Sequence, residues 1–383
     1  MAKLSVTDLD LDGRLVLLRV DFNVPLQGNQ VADDNRLTAT LPTLRLLMNK
    51  RARVVMCSHL GRPKGKPDPK YSLRPVAEHL ERLLGVSVGF CPETVGPRAQ
   101  EMAARLEPGG FLLLENLRYQ AAEEANDPEF ARQLAELGEV YVNDAFGAAH
   151  RAHASTAGVT KYFTQAAAGL LLQKELNYLG KVLAAREHPF VVILGGAKAS
   201  DKLPLIAHLA RQADQLLIGG GMAYTFLKAQ GKGIGDSLLQ ADFVLAAGKL
   251  LAEAKPGQFV LPVDHVLEDG TVVTEIPAGR KAMDIGPETR RIFAGHITRA
   301  RMVFWNGPMG VFEKPPLDAG TLAVAAAVAA CAGTTVAGGG DSVAALRAAG
   351  VEDKLSHVST GGGASLEFLS GDVLPGVAAL TEV

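Results

Sequence analysis

Apolar residues along this chain fall in short runs separated by polar loops. In the first half the runs lie at residues 15–18, 54–56, 111–114 and 140–142, and in the second at 191–194, 215–218, 303–305, 334–337 and 356–358. Each is apolar at nearly every position, the pattern of a strand buried on both faces of a parallel sheet; a strand with one wet face would alternate. Between most runs the apolar spacing becomes helical, as at 41–49, 74–84 and 130–137. Strands alternating with helices predict an α/β fold with helices on both faces of each sheet. One stretch departs from this rhythm. Residues 259–262 lead through Val266 to Glu268-Asp269-Gly270 and then to 271–274. Asp-Gly between β-branched runs predicts a hairpin, hence a small antiparallel excursion. The segment beginning Leu170-Leu171-Leu172 has helical periodicity and stops near His188-Pro189, which predicts a stiff connector. The expected architecture is therefore two doubly wound, Rossmann-like parallel-sheet domains, 1–170 and 188–365, joined by a helix at 171–187 and followed by a tail at 366–383.

Composition narrows the function. The 383 residues are 48% hydrophobic and 21% charged, as in ordinary globular proteins, and the net charge is −2. Up to residue 170 there are 20 Lys plus Arg against 20 Asp plus Glu, leaving 19 against 21 in the rest. No basic field for nucleic acid exists, so any anion affinity must come from local clustering. The cysteines Cys57, Cys91 and Cys331 are far apart and show no zinc-ligand spacing, which fits a reducing compartment. The start of the chain soon meets Asp8, Asp10 and Asp12 and lacks a signal-peptide core. The most apolar run, 322–332, is too short to span a bilayer. A cytoplasmic protein without nucleic-acid or membrane partners is expected.

In open parallel sheets ligands sit beyond the carboxyl ends of the strands. In the first half those ends carry Asp21 and Asn23, with Arg36 further along, then His59 and Arg62, then Arg118, then Arg151. Guanidinium groups grip carboxylate and phosphate through paired hydrogen bonds. Arg36, Arg62, Arg118 and Arg151 with His59 thus suit a small polyanion; each alone could equally be a structural ion-pair partner. Asp21 and Asn23 read either as turn chemistry or as partners for ligand hydroxyls.

In the second half the strand ends are glycine-rich: 195–197, 219–221, 338–340 and 361–363. Glycine lets backbone approach phosphate closely, and the helix that follows offers free N–H groups. Residues 219–221 read as structural or as the lining of a base pocket. Lys198 and Lys202 are four apart and are expected on one helix face, placed to neutralise phosphate oxygens. Asp341 beside such amides suggests a cation carried by a nucleotide; Asp341 and Ser342 could instead be a simple N-cap. The glycines at 231–235 have the wrong spacing for a dinucleotide loop, and neither a Walker A sequence nor protein-kinase motifs occur.

Taken in order, residues 19–25, 58–63, 195–202, 305–313 and 338–342 resemble the signature segments of the phosphoglycerate kinase family, and the resemblance runs from about residue 8 to 376. It implies reversible phosphoryl transfer between 1,3-bisphosphoglycerate with MgADP and 3-phosphoglycerate with MgATP. It implies a phosphoglycerate-binding first domain using Asp21, Asn23, Arg36, His59, Arg62, Arg118 and Arg151. The nucleotide-binding second domain would use Gly196, Lys198, Lys202, Gly220, Asn306, Pro308, Glu313, Gly339, Gly340, Asp341 and Ser342. Glu313 would meet the ribose, and Asp341 the Mg²⁺ through the nucleotide. Arg36 and Lys198, with the amides of Gly362 and Gly363, would meet the moving phosphoryl. The family also folds its C-terminal tail back on the first domain, and a monomer is expected. Two small departures are visible: Ser342 stands where threonine is frequent, and Ala148 where threonine is common. A kinase making another acyl phosphate leaves the arginine set unexplained. A non-catalytic anion sensor leaves Lys198 and Lys202 unexplained.

Overall fold

The computed structural model describes residues 3–200 and 202–383; Met1, Ala2 and Asp201 lie outside the described residues. Two compact units result, Met1–Leu176 with Val373–Val383, and Asn177–Asp372. The helix Leu170–Ala184 carries the chain from one to the other.

The first unit is built on a six-stranded parallel sheet in the spatial order Val88–Cys91, Phe111–Leu114, Arg53–Cys57, Leu15–Arg19, Val140–Asn143 and Ala166–Ala168. Register is set by wholly buried runs: Val16 pairs with Val54 on one side and Val140 on the other. Val16, Leu18, Val54, Met56, Leu113 and Val142 form its core with Leu44 and Leu47 of the helix Asn35–Asn49. The strand order reverses between Leu15–Arg19 and Val140–Asn143, so a crevice opens beyond those carboxyl ends.

The second unit repeats the plan. Its parallel strands run Phe259–Val260, Gln215–Ile218, Phe190–Leu194, Met302–Asn306, Thr334–Ala337 and His357–Val358. In chain order that is 3-2-1-4-5-6, with the reversal between Phe190–Leu194 and Met302–Asn306. A separate antiparallel sheet joins His265–Leu267 to Val272–Val273 and Ala282–Ile285.

The expected hairpin is thus present, but Phe259–Val260 belongs to the edge of the parallel sheet instead. The helix expected at 41–49 begins at Asn35. Pro42 invites a start just before it, because proline favours the first helical position. Here it sits in the helix interior, where Thr40 Oγ1 bonds to the Arg36 carbonyl 3.0 Å away. The shared helix face expected for Lys198 and Lys202 does not exist, since that helix spans Leu203–Leu209 and Lys202 is its N-cap. Pro204 explains the start: extending the helix back to Lys198 would bury the proline ring in its interior.

The tail returns to the first unit. Leu4 N–H donates to Thr381 O (2.8 Å), Thr381 N–H to Ala166 O (2.9 Å) and Gly376 N–H to Ala149 O (2.8 Å). Lys3 Nζ reaches Leu380 O and the Glu382 carboxylate at 3.1 and 3.2 Å. Leu374 and Leu380 are buried.

Candidate functional site

Arginine and histidine gather at the crevice of the first unit. Arg36, in the first turn of Asn35–Asn49, places Nη1 2.8 Å from Asp21 Oδ2. Asp21 Oδ1 accepts the Asn23 N–H (3.3 Å), and Asn23 Oδ1 accepts the Gly61 N–H (2.8 Å). Asp21 is therefore both a turn residue and the partner of Arg36. Gly61, at φ +59, leaves no room for a Cβ beside the Tyr71 ring. Arg118 Nη1 donates to the Gly61 carbonyl (2.9 Å), and its Nε lies 3.1 Å from Glu124 Oε1. Asn116 holds the third strand end in place by accepting the N–H groups of Leu60 (3.2 Å) and Arg118 (3.0 Å).

His59 is the electrostatic centre. It is buried, and Arg19 Nη2 lies 3.2 Å from its Nδ1. A guanidinium only donates, so Nδ1 accepts and the ring proton sits on Nε2. Burial, then the positive fields of Arg19, Arg118, Arg36 and Arg151, hold its pKa well below the ordinary value of 6.5. The ring is neutral at neutral pH, bonded by Arg19 and held in the positive field of Arg118, Arg36 and Arg151. Arg62 lies on the exposed side of the same loop.

Behind this front stands a buried support that the sequence reading passed over. Arg19, 1% exposed, donates from Nε to Ser155 Oγ (2.8 Å). Ser155 in turn meets Glu123 through its hydroxyl (2.5 Å) and its N–H (2.9 Å). Burial raises the Glu123 pKa, and Arg19 opposes the rise. His153 is pushed down to about 4 by burial, then by Arg118, Arg19 and Arg151. The available signal was Arg19 itself, a charge closing an apolar strand. Glu123 and Ser155 carried none, because only the fold brings them to it.

In the second unit the glycine loops interlock. Gly195 N–H donates to Asn306 O (3.0 Å), Gly196 N–H to Pro308 O (2.8 Å) and Gly220 N–H to Met309 O (3.0 Å). Asn306 Nδ2 donates to Gly338 O (2.6 Å), and the Gly307 N–H to Ser342 Oγ (2.6 Å). Lys202 Nζ folds back onto the carbonyls of Gly195 (2.6 Å) and Asn306 (3.0 Å). At Gly195 a Cβ would lie 2.0 Å from the Pro308 carbonyl oxygen. Gly339, at φ +95, is the N-cap of the helix Gly340–Ala348 and makes no side-chain cap bond. Asp341 and Ser342 thus lie within the first helical turn, and the simple N-cap reading falls away. Asp341 is exposed there, where the helix N-terminus favours negative charge.

Gly196, Gly220, Pro308, Glu313 and Asp341 line one cleft of about 400 Å³. Its other walls are largely apolar: Tyr224, Leu238, Met283, Val311 and Phe312. These were not singled out in the sequence because they carry no phosphate chemistry, and Met283 comes from the antiparallel insert. Lys198 is exposed on the loop after Phe190–Leu194, next in the chain to Ala197, which lines this cleft. Open space lies over the Cα atoms of Gly340, Gly362 and Gly363. Gly362, at φ 52° and ψ −114°, is the N-cap of the helix Gly363–Leu369.

Parallel sheets that present arginines at one set of strand ends and glycine loops at another define a two-unit α/β phosphotransferase. A sequence profile of the family described as "Phosphoglycerate kinase" matches residues 6–372. A phosphoglycerate kinase of Koribacter versatilis is 56% identical, with the whole of each chain covered. One of Solibacter usitatus is 56% identical over 99% of this chain and 100% of its own. The solved structure of phosphoglycerate kinase from Coxiella burnetii superposes with a TM-score of 0.91 at 39% identity, covering 99% of this chain and 98% of its own. The chain belongs to the phosphoglycerate kinase family. Its reaction is the reversible phosphoryl transfer between 1,3-bisphosphoglycerate plus ADP and 3-phosphoglycerate plus ATP, a step of glycolysis and gluconeogenesis.

Proposed function

We propose that the first unit holds the phosphoglycerate and the second the nucleotide. The observation that carries this is a buried His59 bonded by Arg19, beside the Arg36–Asp21 pair and the Arg118–Gly61 bond, in a positive field to which Arg151 adds. A neutral ring with its proton on Nε2 donates to an anion without adding charge, while the guanidiniums neutralise carboxylate and phosphate. Asp21 and Asn23 meet the ligand hydroxyl, and Arg62 closes the exposed side. In the second unit the apolar cleft takes the base, Gly220 and Pro308 flank it, and Glu313 takes the ribose. The amides of Gly196, Gly339 and Gly340 cradle phosphate, braced by Asn306, Ser342 and Lys202.

Asp341 fits a Mg²⁺ carried by the nucleotide. It is an exposed carboxylate at a cleft with glycine amides, and among the described residues no three His, Cys, Asp or Glu side chains group to cage a metal. An ion there draws its remaining ligands from phosphate and water, as Mg²⁺ prefers, and would neutralise charge on the transferring phosphates.

Transfer is direct and in line. An ADP β-phosphate oxygen attacks the phosphorus of the acyl phosphate, and the carboxylate leaves with the bond electrons. Little covalent work is required of the protein, so rate comes from positioning and charge stabilisation. Arg36, Lys198 and the amides of Gly362 and Gly363 meet the charge on the moving group. The two ligand sets belong to different units, so both ligands together drive hinge closure, which excludes water from the acyl phosphate. One chain supplies every group named, consistent with a monomer, and the net charge of −2 favours no nucleic-acid partner. Among the described residues no helix is long and apolar enough to cross a membrane. A coupled assay of ATP formation from 1,3-bisphosphoglycerate and ADP tests the reaction; small-angle scattering with each ligand and with both tests closure. Scattering profiles identical in all states would refute the hinge.

A further inference from the structure

A second cavity of the Asn177–Asp372 unit, about 480 Å³, shares none of its lining residues with the cleft above. Its volume lies within the range of small-molecule sites. Leu227, Pro262, Val263 and Ile276 give it apolar walls, and Lys232, His265 and Glu275 its charge and polarity. The frame is fixed by the backbone. Ile234 bridges Ile276, so the loops bearing Lys232 and Glu275 are pinned together beside the cavity. Gly235, at φ +52, presses so close that a Cβ would lie 2.4 and 2.5 Å from the carbonyl oxygens of Arg280 and Pro277.

His265 is 4% exposed, and its Nδ1 is buried without a hydrogen-bond partner. An unmade hydrogen bond on a buried polar atom costs about 1–3 kcal/mol. The neighbouring carboxylate cannot serve it. Asp264 is engaged by Thr289 Oγ1 (2.6 Å), Thr289 N–H (2.8 Å) and Glu288 N–H (2.9 Å). The ring packs against Tyr224 with centroids 5.7 Å apart. Burial pushes the His265 pKa down to about 4; Asp264 opposes this and Lys232 adds to it, so the ring is neutral. A neutral imidazole offers Nδ1 as acceptor or donor, according to tautomer. Lys232 and Glu275 are exposed, and among the described residues neither side chain forms an ion pair or hydrogen bond; the Lys232 N–H donates to Leu227 O (3.0 Å).

We propose that this cavity binds a small zwitterion of the α-amino-acid class beside the His265 ring, with Lys232 taking its carboxylate and Glu275 its ammonium. A simple anion would meet Glu275 and a simple cation Lys232, so opposite charges on one small molecule match the rim best. The site does not depend on where the phosphoglycerate or nucleotide binds.

The test uses the full chain labelled with ¹⁵N-histidine, with the His265 ring signals assigned through His265→Gln. The probes are an equimolar mixture of free proteinogenic α-amino acids, sodium acetate and methylammonium chloride, each at about 10 mM, tenfold above a millimolar Kd. The mixture is expected to move the His265 ring signals while acetate and methylammonium leave them in place. Lys232→Met and Glu275→Gln, both at exposed positions, should each weaken binding about tenfold. No movement with the mixture, equal movement with acetate, or undiminished binding in both variants would overturn the proposal.

Discussion

Arg36→Ala separates catalysis from folding more sharply than any other single change in the first unit. The side chain is about one-third exposed and its partner Asp21 is largely buried, at 33% and 9%. A pair so placed is screened by water and contributes less than about 1 kcal/mol to stability. At Asp21 the Asn23 N–H still meets Oδ1, while Oδ2 loses the Arg36 guanidinium. For a unit of this size such a loss lowers Tm by roughly 2–4 °C. The catalytic loss should be far larger. Removing one preorganised donor to a developing charge typically costs about 10²–10³ in kcat, or roughly 2.7–4 kcal/mol. Steady-state ATP formation should therefore fall at least a hundredfold, while the Kd for ADP by calorimetry stays within about twofold. Arg36→Lys should recover only part of the rate, because the charge returns without the planar fork. A kcat within threefold of the parent would refute the role. So would a Tm drop large enough to account for the lost rate by unfolding.

Other outcomes follow from single contacts. Gly339→Ala should weaken nucleotide binding and lower stability by about 1–3 kcal/mol, because its φ of +95 strains any side chain and a Cβ would sit 2.6 Å from Asn306 Nδ2; calorimetry and thermal melts read both. Leu380→Ala, with the parent side chain 3% exposed, should cost about 2–5 kcal/mol of first-unit stability in urea melts. His153 and His265, both depressed from 6.5 to about 4, bind fewer protons folded than unfolded in that window, so stability should be complete above pH 6.5 and decline as pH falls toward 4; a flat urea-melt profile there would contradict this. Asp284 has the opposite sign: burial raises its pKa from 3.8 to about 7, so the folded chain holds the extra proton and loses stability as pH rises through that range. Asp284→Asn should accordingly gain stability relative to the parent as pH rises from below 3.8, partly by pH 5 and fully by pH 8.

The central strands of both sheets could be read from the chain because parallel sheets bury both faces, and runs such as 111–114 and 191–194 are apolar without a break. Both edge strands of the first unit's sheet escaped for the complementary reason, while the edge run 356–358 of the second was legible. Ala166–Ala168 has no β-branched or aromatic residue, and in Val88–Cys91 the burial is interrupted at Gly89 and Phe90. The helix Asn35–Asn49 starts before the expected 41 and runs through Pro42, and Pro204 starts Leu203–Leu209 later than the lysine spacing implied. In the first unit, side chains whose chemistry shows in their type could be collected at strand ends. Their support through Ser155 and Glu123 could not, because Arg19 meets Ser155 across 136 positions of sequence. The apolar wall of the second-unit cleft was equally hidden, since Tyr224, Met283 and Phe312 look like core residues until the fold places them at an opening.

The division of labour between the units is the claim on which the rest depends. Backbone amide exchange with one ligand at a time tests it most directly. 3-Phosphoglycerate alone should slow exchange around Asn23, His59 and Arg118 and leave the loops at 195–197 and 338–342 unchanged. MgADP alone should do the reverse. Protection of both regions by either single ligand, or the opposite assignment, would contradict the account.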